Sequence, residues 1–131
     1  MIQRVQSLFL FFAALLNMII HYYAPIFINS EETIRMIDLQ NYFPSLLLYT
    51  STLLALFAIF QFRNRLRQLM IVYLSRLSIA ISFLIFILFK EDENQLYYGS
   101  FLLILPYIIL FFSAYFIKKD EKLVRSADRI R

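Results

Sequence analysis

Three polar side chains stand inside otherwise apolar runs of this chain: Asn17, His21 and Arg76. Arg76 is the only full charge so placed. A guanidinium at that depth can hold an anionic substrate or lipid headgroup, or it can snorkel along its stem to the cytoplasmic headgroups. No long apolar run carries an Asp or Glu to pair with it, which favours snorkelling. His21 is the chain's single histidine. Alone it can neither clamp a haem from both sides nor complete a zinc shell, so it is expected at a membrane interface. Asn17 carries an amide mid-run, whose natural use is a hydrogen bond to a neighbouring helix, worth about 0.5–2 kcal/mol.

The densest polar feature is the closing segment, 118–131. On a helix, Lys118, Lys122, Arg125 and Arg129 form one basic stripe, with Lys119 and Arg131 beside it. Glu121 can pair with Arg125 four residues on, and Arg125 with Asp128 three residues on, while Leu123, Val124, Ala127 and Ile130 supply an apolar side. Such a helix can extend a membrane span and lie on the anionic leaflet, dock a cytoplasmic protein, or merely signal topology. A second basic group, Arg63, Arg65 and Arg67, lies mid-chain. Together with Arg76 and the tail cations, these are the candidate contacts to a partner or to anionic lipid.

Other chemistry is poorly supplied. There are no cysteines and one glycine, Gly99, so thiol redox chemistry and Gly-rich phosphate cradles are excluded. No H-E-x-x-H occurs, and no acid lies where proton-coupled transport usually needs one. His21 and Ser100 could make a catalytic pair, but nothing in their spacing favours it. No catalytic, cofactor-binding or metal-binding residue is assigned, and an enzyme is not expected. The residual enzymatic possibility is lipid-directed chemistry at the interface.

The elements that carry these residues are set by composition. Of 131 residues, 61% are hydrophobic and 18% aromatic, and the mean hydropathy is +0.68. Soluble domains average about 45–50% apolar residues, so lipid is the solvent that suits this chain. The net charge is +4, yet the charges sit in short clusters rather than on one basic face, and no nucleic-acid motif is present. Neutral runs extend from Val5 to Ser30, Leu39 to Phe62 and Asn94 to Ile117. Each is about 36 Å or more as a helix, against a hydrocarbon core of about 30 Å. The third crossing is less clean, because Leu77 to Phe89 is only about 20 Å long; its helix must begin before Arg76. The first run lacks a small-x-small cleavage site after its apolar stretch, so it is expected to stay as a helix.

The expected fold is therefore all-α: a single-domain integral membrane antiparallel four-helix bundle. Its spans lie at about 6–28, 41–62, 68–89 and 95–117, with a basic cytoplasmic helical extension at 118–131. Ten of the 13 Lys and Arg residues fall on one side, in the N-terminus, the Arg63–Arg67 connection and the tail; the other side has Arg35 and Lys90 among six acids. Both ends are thus expected in the cytoplasm. Tyr22, Tyr23, Tyr42, Tyr97 and Tyr98 suit the outer interface. Residues 29–40 are expected to hold one helical turn capped by Asn29 or Ser30, and 90–94 a tight turn. Ser51, Ala55 and Ala58, and Ser75, Ser78 and Ser82, are expected to form helix-packing faces. Pro44 fits a first helical turn, and Pro106 should kink the last span.

The two ends and the middle resemble a known family. The opening Met1-Ile2-Gln3-Arg4-Val5-Gln6-Ser7-Leu8 and the closing Ile117-Lys118-Lys119-Asp120-Glu121-Lys122-Leu123-Val124-Arg125-Ser126-Ala127-Asp128-Arg129-Ile130-Arg131 are similar to the termini of domain-of-unknown-function family 4293. Arg63-Asn64-Arg65-Leu66-Arg67-Gln68, followed by Tyr73-Leu74-Ser75-Arg76-Leu77, resembles its second inner connection and third helix. The resemblance implies a small four-span inner-membrane protein of Bacteroidota, without an activity to carry over. It adds weight to the tail, because positive-inside topology requires only a charge count.

Two functions are open from the sequence. The first is an interaction or scaffold protein whose tail and Arg63–Arg67 connection dock a cytoplasmic or membrane partner. The second is a small oligomeric transporter or channel using Arg76 and Asn17.

Overall fold

The computed structural model describes residues 2–30, 32–35, 43–88 and 95–130. The expectations for Tyr42, for the turn at 90–94 and for Arg131 lie outside them. Helix α1 runs from Ile2 to Tyr23, shorter than the expected span of 6–28. Pro25 stops it, because the ring clashes with the preceding turn and pushes the residue before it toward extended geometry. The last turn still closes, with the Ala24 amide donating to the Ile20 carbonyl at 3.1 Å.

Beyond this turn the chain becomes extended. Pro25–Ile28 forms strand β1 and Thr33–Arg35 strand β2. They are joined by a turn in which the Asn29 amide donates to the Glu32 carbonyl at 2.9 Å. Gln95–Leu96, strand β3, lies on the other side of β1, so the antiparallel order is β2-β1-β3. Phe27 pairs with Ile34 on one side and with Leu96 on the other. The Tyr97 amide extends this edge by donating to the Ile26 carbonyl at 2.9 Å. The chain is mostly helical as expected, with this small sheet beside the helices; of the helical turn expected within 29–40, residues 33–35 are strand, and 31 and 36–40 lie outside those described. Asn29 acts in the hairpin instead, its side-chain oxygen accepting from the Ser30 amide at 2.6 Å. Open sheet edges are not stable in hydrocarbon, so this sheet belongs at an interface.

Helix α2 spans Phe43–Phe60, with Pro44 in its first turn as expected. Helix α3 spans Arg65–Leu88 and so begins well before Arg76. Asn64 caps it, its Oδ1 accepting from the Arg67 amide at 3.3 Å. A short helix α4, Tyr98–Leu102, precedes α5, Ile104–Ile130. The break at Leu103 is the expected effect of Pro106, which has no N–H to offer the carbonyl of Leu102. From there α5 runs without interruption through the basic segment, as the helical extension required.

Helix α1 packs against α2 and α5, and α3 packs against the same two. Their buried faces are rich in small and polar residues, including Ala13, Ala14 and Asn17 on α1 and Ser51, Ala55 and Ala58 on α2. Close backbone approach through small side chains is how helices associate where water supplies no hydrophobic drive. Ser75 and Ser82 are fully buried as expected, but Ser78 turns aside to its own helix, donating to the Leu74 carbonyl at 3.1 Å. The large apolar side chains face outward: Leu53 is 65% exposed, Phe60 76% and Leu88 64%. All four long helical segments are long and apolar enough to cross a membrane, and an apolar exterior of this kind suits lipid.

Gly99 ties the sheet to α4. A Cβ at this position would collide with the Pro25 carbonyl oxygen and lie 2.7 Å from its carbon. Gly99→Ala should therefore cost about 1–3 kcal/mol by overpacking. Unfolding of the purified protein in mixed micelles checks this against Ala80→Ser, a change on the exposed side of α3 that should be near neutral.

Candidate functional site

Three polar constellations are carried by this frame. The first closes the end of the assembly at which α3 begins. The buried face of α5 passes through Leu110, Ala114 and Ile117 and then reaches Asp120, which is 8% exposed. Arg65 at the start of α3 meets it, with Nε 2.8 Å from Oδ2 in a close ion pair offset from ideal hydrogen-bond alignment. Two glutamines reinforce this end. Gln6 donates to the Phe116 carbonyl at 3.1 Å, and Gln68 to the Ala58 carbonyl at 3.0 Å. Ala58 is among the last residues of α2, where carbonyls lack partners within the helix.

Arg65 thus pairs with Asp120 through its Nε. Arg63 and Arg67 remain exposed on either side, with Arg63 over the Phe62 ring at 5.9 Å. Lys118, Lys119, Lys122, Arg125 and Arg129 are exposed along α5. Arg125 pairs with Glu121 at 2.9 Å, the expected spacing of four, and at this exposure such a pair is worth about 0.3–0.5 kcal/mol. Arg129 stands eleven residues beyond Lys118, or about 16 Å along the axis. An unbroken helix cannot both cross the bilayer and lie flat on its surface, so the tail projects from the helix ends.

The second constellation surrounds Arg76. This residue is half-buried, and its Nη2 donates to the Tyr107 hydroxyl at 3.2 Å. The guanidinium carbon lies 5.0 Å from the ring centres of Tyr107 and Phe111 and 5.8 Å from that of Tyr73. Aromatic faces attract a cation, more so when it is desolvated. Arg76 stands eight residues beyond Gln68, or about 12 Å along α3, and these rings form a cage around its head group. Its Nε is buried with no hydrogen-bond partner among the described residues. Above this cage, α3 and α5 part to leave an apolar groove of about 490 Å³, walled by Ile79, Phe83, Leu84, Ile87, Leu103 and Tyr107.

The third constellation is interior. Asn17 Nδ2 donates to Ser51 Oγ at 3.3 Å, and the Ser51 and Ser75 hydroxyls are 2.9 Å apart. Ser75 Oγ also reaches the Ser51 carbonyl at 2.9 Å. Asn17 thus joins α1 to α2 and α3. His21 is buried rather than interfacial, 3% exposed, with its ring 4.1 Å from the Tyr49 ring and 5.2 Å from that of Tyr22. Asn17 faces α2 while Arg76 faces α5, so the two residues proposed for a common path do not converge.

Sequence reasoning missed Asp120, Gln6, Gln68 and Tyr107. A signal for Asp120 existed: it continues the spacing of Leu110, Ala114 and Ile117, which marks the packed side of the helix. Tyr107 lay in an aromatic-rich run without any local mark of its partner.

A family model described as Domain of unknown function (DUF4293) matches residues 2–130. The chain belongs to this family. No match is found among curated proteins or among solved structures. For this DUF4293 member, the inner clamp is the constellation with the most direct test. Arg65→Gln and Asp120→Asn, singly and together, form a cycle whose coupling should be about 1–3 kcal/mol. Denaturant titration of the detergent-solubilised protein reads it; a coupling near zero would mean that the pair does not hold the connection to α5.

Proposed function

We propose that this protein is an inner-membrane, four-span antiparallel bundle with both ends in the cytoplasm, acting as an interaction or scaffold protein. In this reading the basic end of α5 docks an acidic cytoplasmic partner. The observation that carries it is the course of α5: a single helix anchored at Asp120 by Arg65, with Lys122, Arg125 and Arg129 exposed beyond the anchor. A topology signal requires only charge count, not an ordered helix. Attraction to the leaflet falls off over about 8 Å at physiological salt, and the distal cations stand farther out than that from Lys118. Their spacing instead presents a straight positive edge to a facing acidic surface.

Topology is tested first, and the absence of native cysteines makes the assay clean. In intact spheroplasts a membrane-impermeant maleimide should label Ser30→Cys at once and Ser126→Cys only after permeabilisation. The reverse pattern would invert the orientation and remove the cytoplasmic docking face.

Docking is tested with Lys122→Glu, Arg125→Glu and Arg129→Glu combined, which leaves Asp120 and Arg65 intact. Crosslinking in cells from position 126 should join the wild-type tail to one acidic protein. That adduct should fall about tenfold or more with the reversed charges and persist when Lys118 and Lys119 are made Gln. If the tail crosslinks only to lipid, or the adduct survives charge reversal, the docking reading fails.

A further inference from the structure

Arg76 is a cation with no acid beside it among the described residues. No Asp or Glu occurs between Arg63 and Phe89, nor between Gln95 and Lys119, so neither α3 nor the membrane part of α5 can supply a counter-charge. A guanidinium has five N–H donors. The hydrogen bond from Nη2 to Tyr107 uses one, and Nε is buried without a partner among the described residues. The rings of Tyr73, Tyr107 and Phe111 offset part of the desolvation cost but accept no strong hydrogen bond. An uncompensated charge at this depth is expensive, and where such residues occur they mark sites.

The groove above Arg76 supplies the other half of a site. Its volume of about 490 Å³ lies within the range of small-ligand pockets, roughly 300–1,000 Å³. Its lining is Ile, Ala, Phe and Leu, apart from the phenol of Tyr107 at its lower end. Ala80 on its rim is exposed, as are Leu84, Ile87 and Ile104, so the groove opens toward the lipid side. From Arg76 to Ile87 is about 16 Å along α3, a long, narrow slot suited to one extended chain. Tyr107 joins the two halves. Its ring faces the slot, and its hydroxyl oxygen accepts from Arg76, which polarises its own O–H toward a further acceptor.

We propose that the α3–α5 groove binds a long-chain fatty acid, with the alkyl chain along Ile79, Phe83, Leu84 and Ile87 and the carboxylate at Tyr107 and Arg76. A single chain suits a slot about 16 Å long along α3, and a carboxylate matches the missing acid. The two oxygens of a carboxylate suit the paired donors of a guanidinium edge, for which the unpartnered Nε is available. A neutral alcohol of equal length would fill the slot but leave the charge unanswered. The site depends on the four-span membrane reading and is independent of any cytoplasmic partner.

The test uses the full-length protein in nanodiscs of zwitterionic lipid, labelled by hexadecanoic acid bearing a diazirine along its chain. Adducts should map to residues 79–87 and 103–107 and saturate with probe concentration. Unlabelled hexadecanoate should compete about tenfold or more better than hexadecanol, a factor worth about 1.4 kcal/mol. Arg76→Gln should lower the apparent affinity about tenfold and abolish the preference for acid over alcohol. Tyr107→Phe should weaken binding several-fold, and Arg76→Lys should restore part of the preference. Ala80→Phe, on the exposed rim, should block the slot and remove the adducts with the cage intact.

Equal competition by acid and alcohol on the wild type overturns the proposal. So does an Arg76→Gln protein that retains the preference, or labelling spread evenly over all lipid-facing helices, which would mean ordinary bilayer lipid only. Should Arg76→Gln fail to fold, the acid–alcohol comparison on wild type and the Ala80→Phe protein still decide the matter. The tail charge reversal leaves hexadecanoate binding unchanged, so failure of the docking reading and failure of this site are distinguishable.

Discussion

In apolar surroundings a polar group has two options: pair with another group of the same chain, or lie at the water's edge. That constraint organises most polar side chains on the buried faces of this protein, with His21, Ser45 and Ser113 left without a hydrogen-bond partner among the described residues. Ser82 donates to the Pro44 carbonyl at 3.0 Å, Thr52 to the Leu48 carbonyl at 2.9 Å, and Asn17 to Ser51. The interhelical bonds each contribute modestly, about 0.6 kcal/mol on average in comparable membrane proteins. Their larger effect is on register, since a one-residue slip of a helix would strand a donor opposite a methyl group. Small residues permit the close approach, and the hydroxyls and amides decide which alignment of it is stable.

The two ends of the assembly meet water by different means. At one end four helices are tied by side chains: Gln6 of α1 to α5, Gln68 of α3 to α2, and Arg65 of α3 to Asp120 of α5. At the other, a small sheet lies against the helices, with Ile26 and Phe27 buried and Phe27 set edge-on to Phe86 at 5.4 Å. Backbone hydrogen bonds do there what glutamine side chains do at the opposite end. Pro25 decides the difference, because it halts α1 and frees the next residues to pair as a strand. Gly99 then lets α4 approach that strand closely.

Much of this was legible in the sequence, and the failures have specific causes. Charge interruptions marked the four apolar segments, Pro106 marked the break before α5, and the spacing of the tail marked a helix. The strand at Pro25–Ile28 was not legible from hydropathy, because Ile-Phe-Ile reads alike in a lipid-facing helix and a buried strand. Pro25 was the stronger signal. Arg65 and Asp120 lie far apart in the chain and each sits among other charges, so nothing local distinguished this pair from exposed neighbours. His21 was expected at the interface as a lone histidine, but its position four residues after Asn17 places it on the packed face of α1.

The uninterrupted course of α5 has a mechanical consequence. From Ile104 to Ile130 the helix contains no joint, and a helix of that length behaves as a stiff rod of about 40 Å. A tilt or rotation imposed near Arg129 cannot be absorbed by a flexible linker along the way. The clamp at Asp120 holds this rod where Arg65 meets it, so the tail and the stretch around Tyr107 share one stiff body. The exposed basic end and the Arg76 cage are thus carried by one rigid element, which begins just after Leu103.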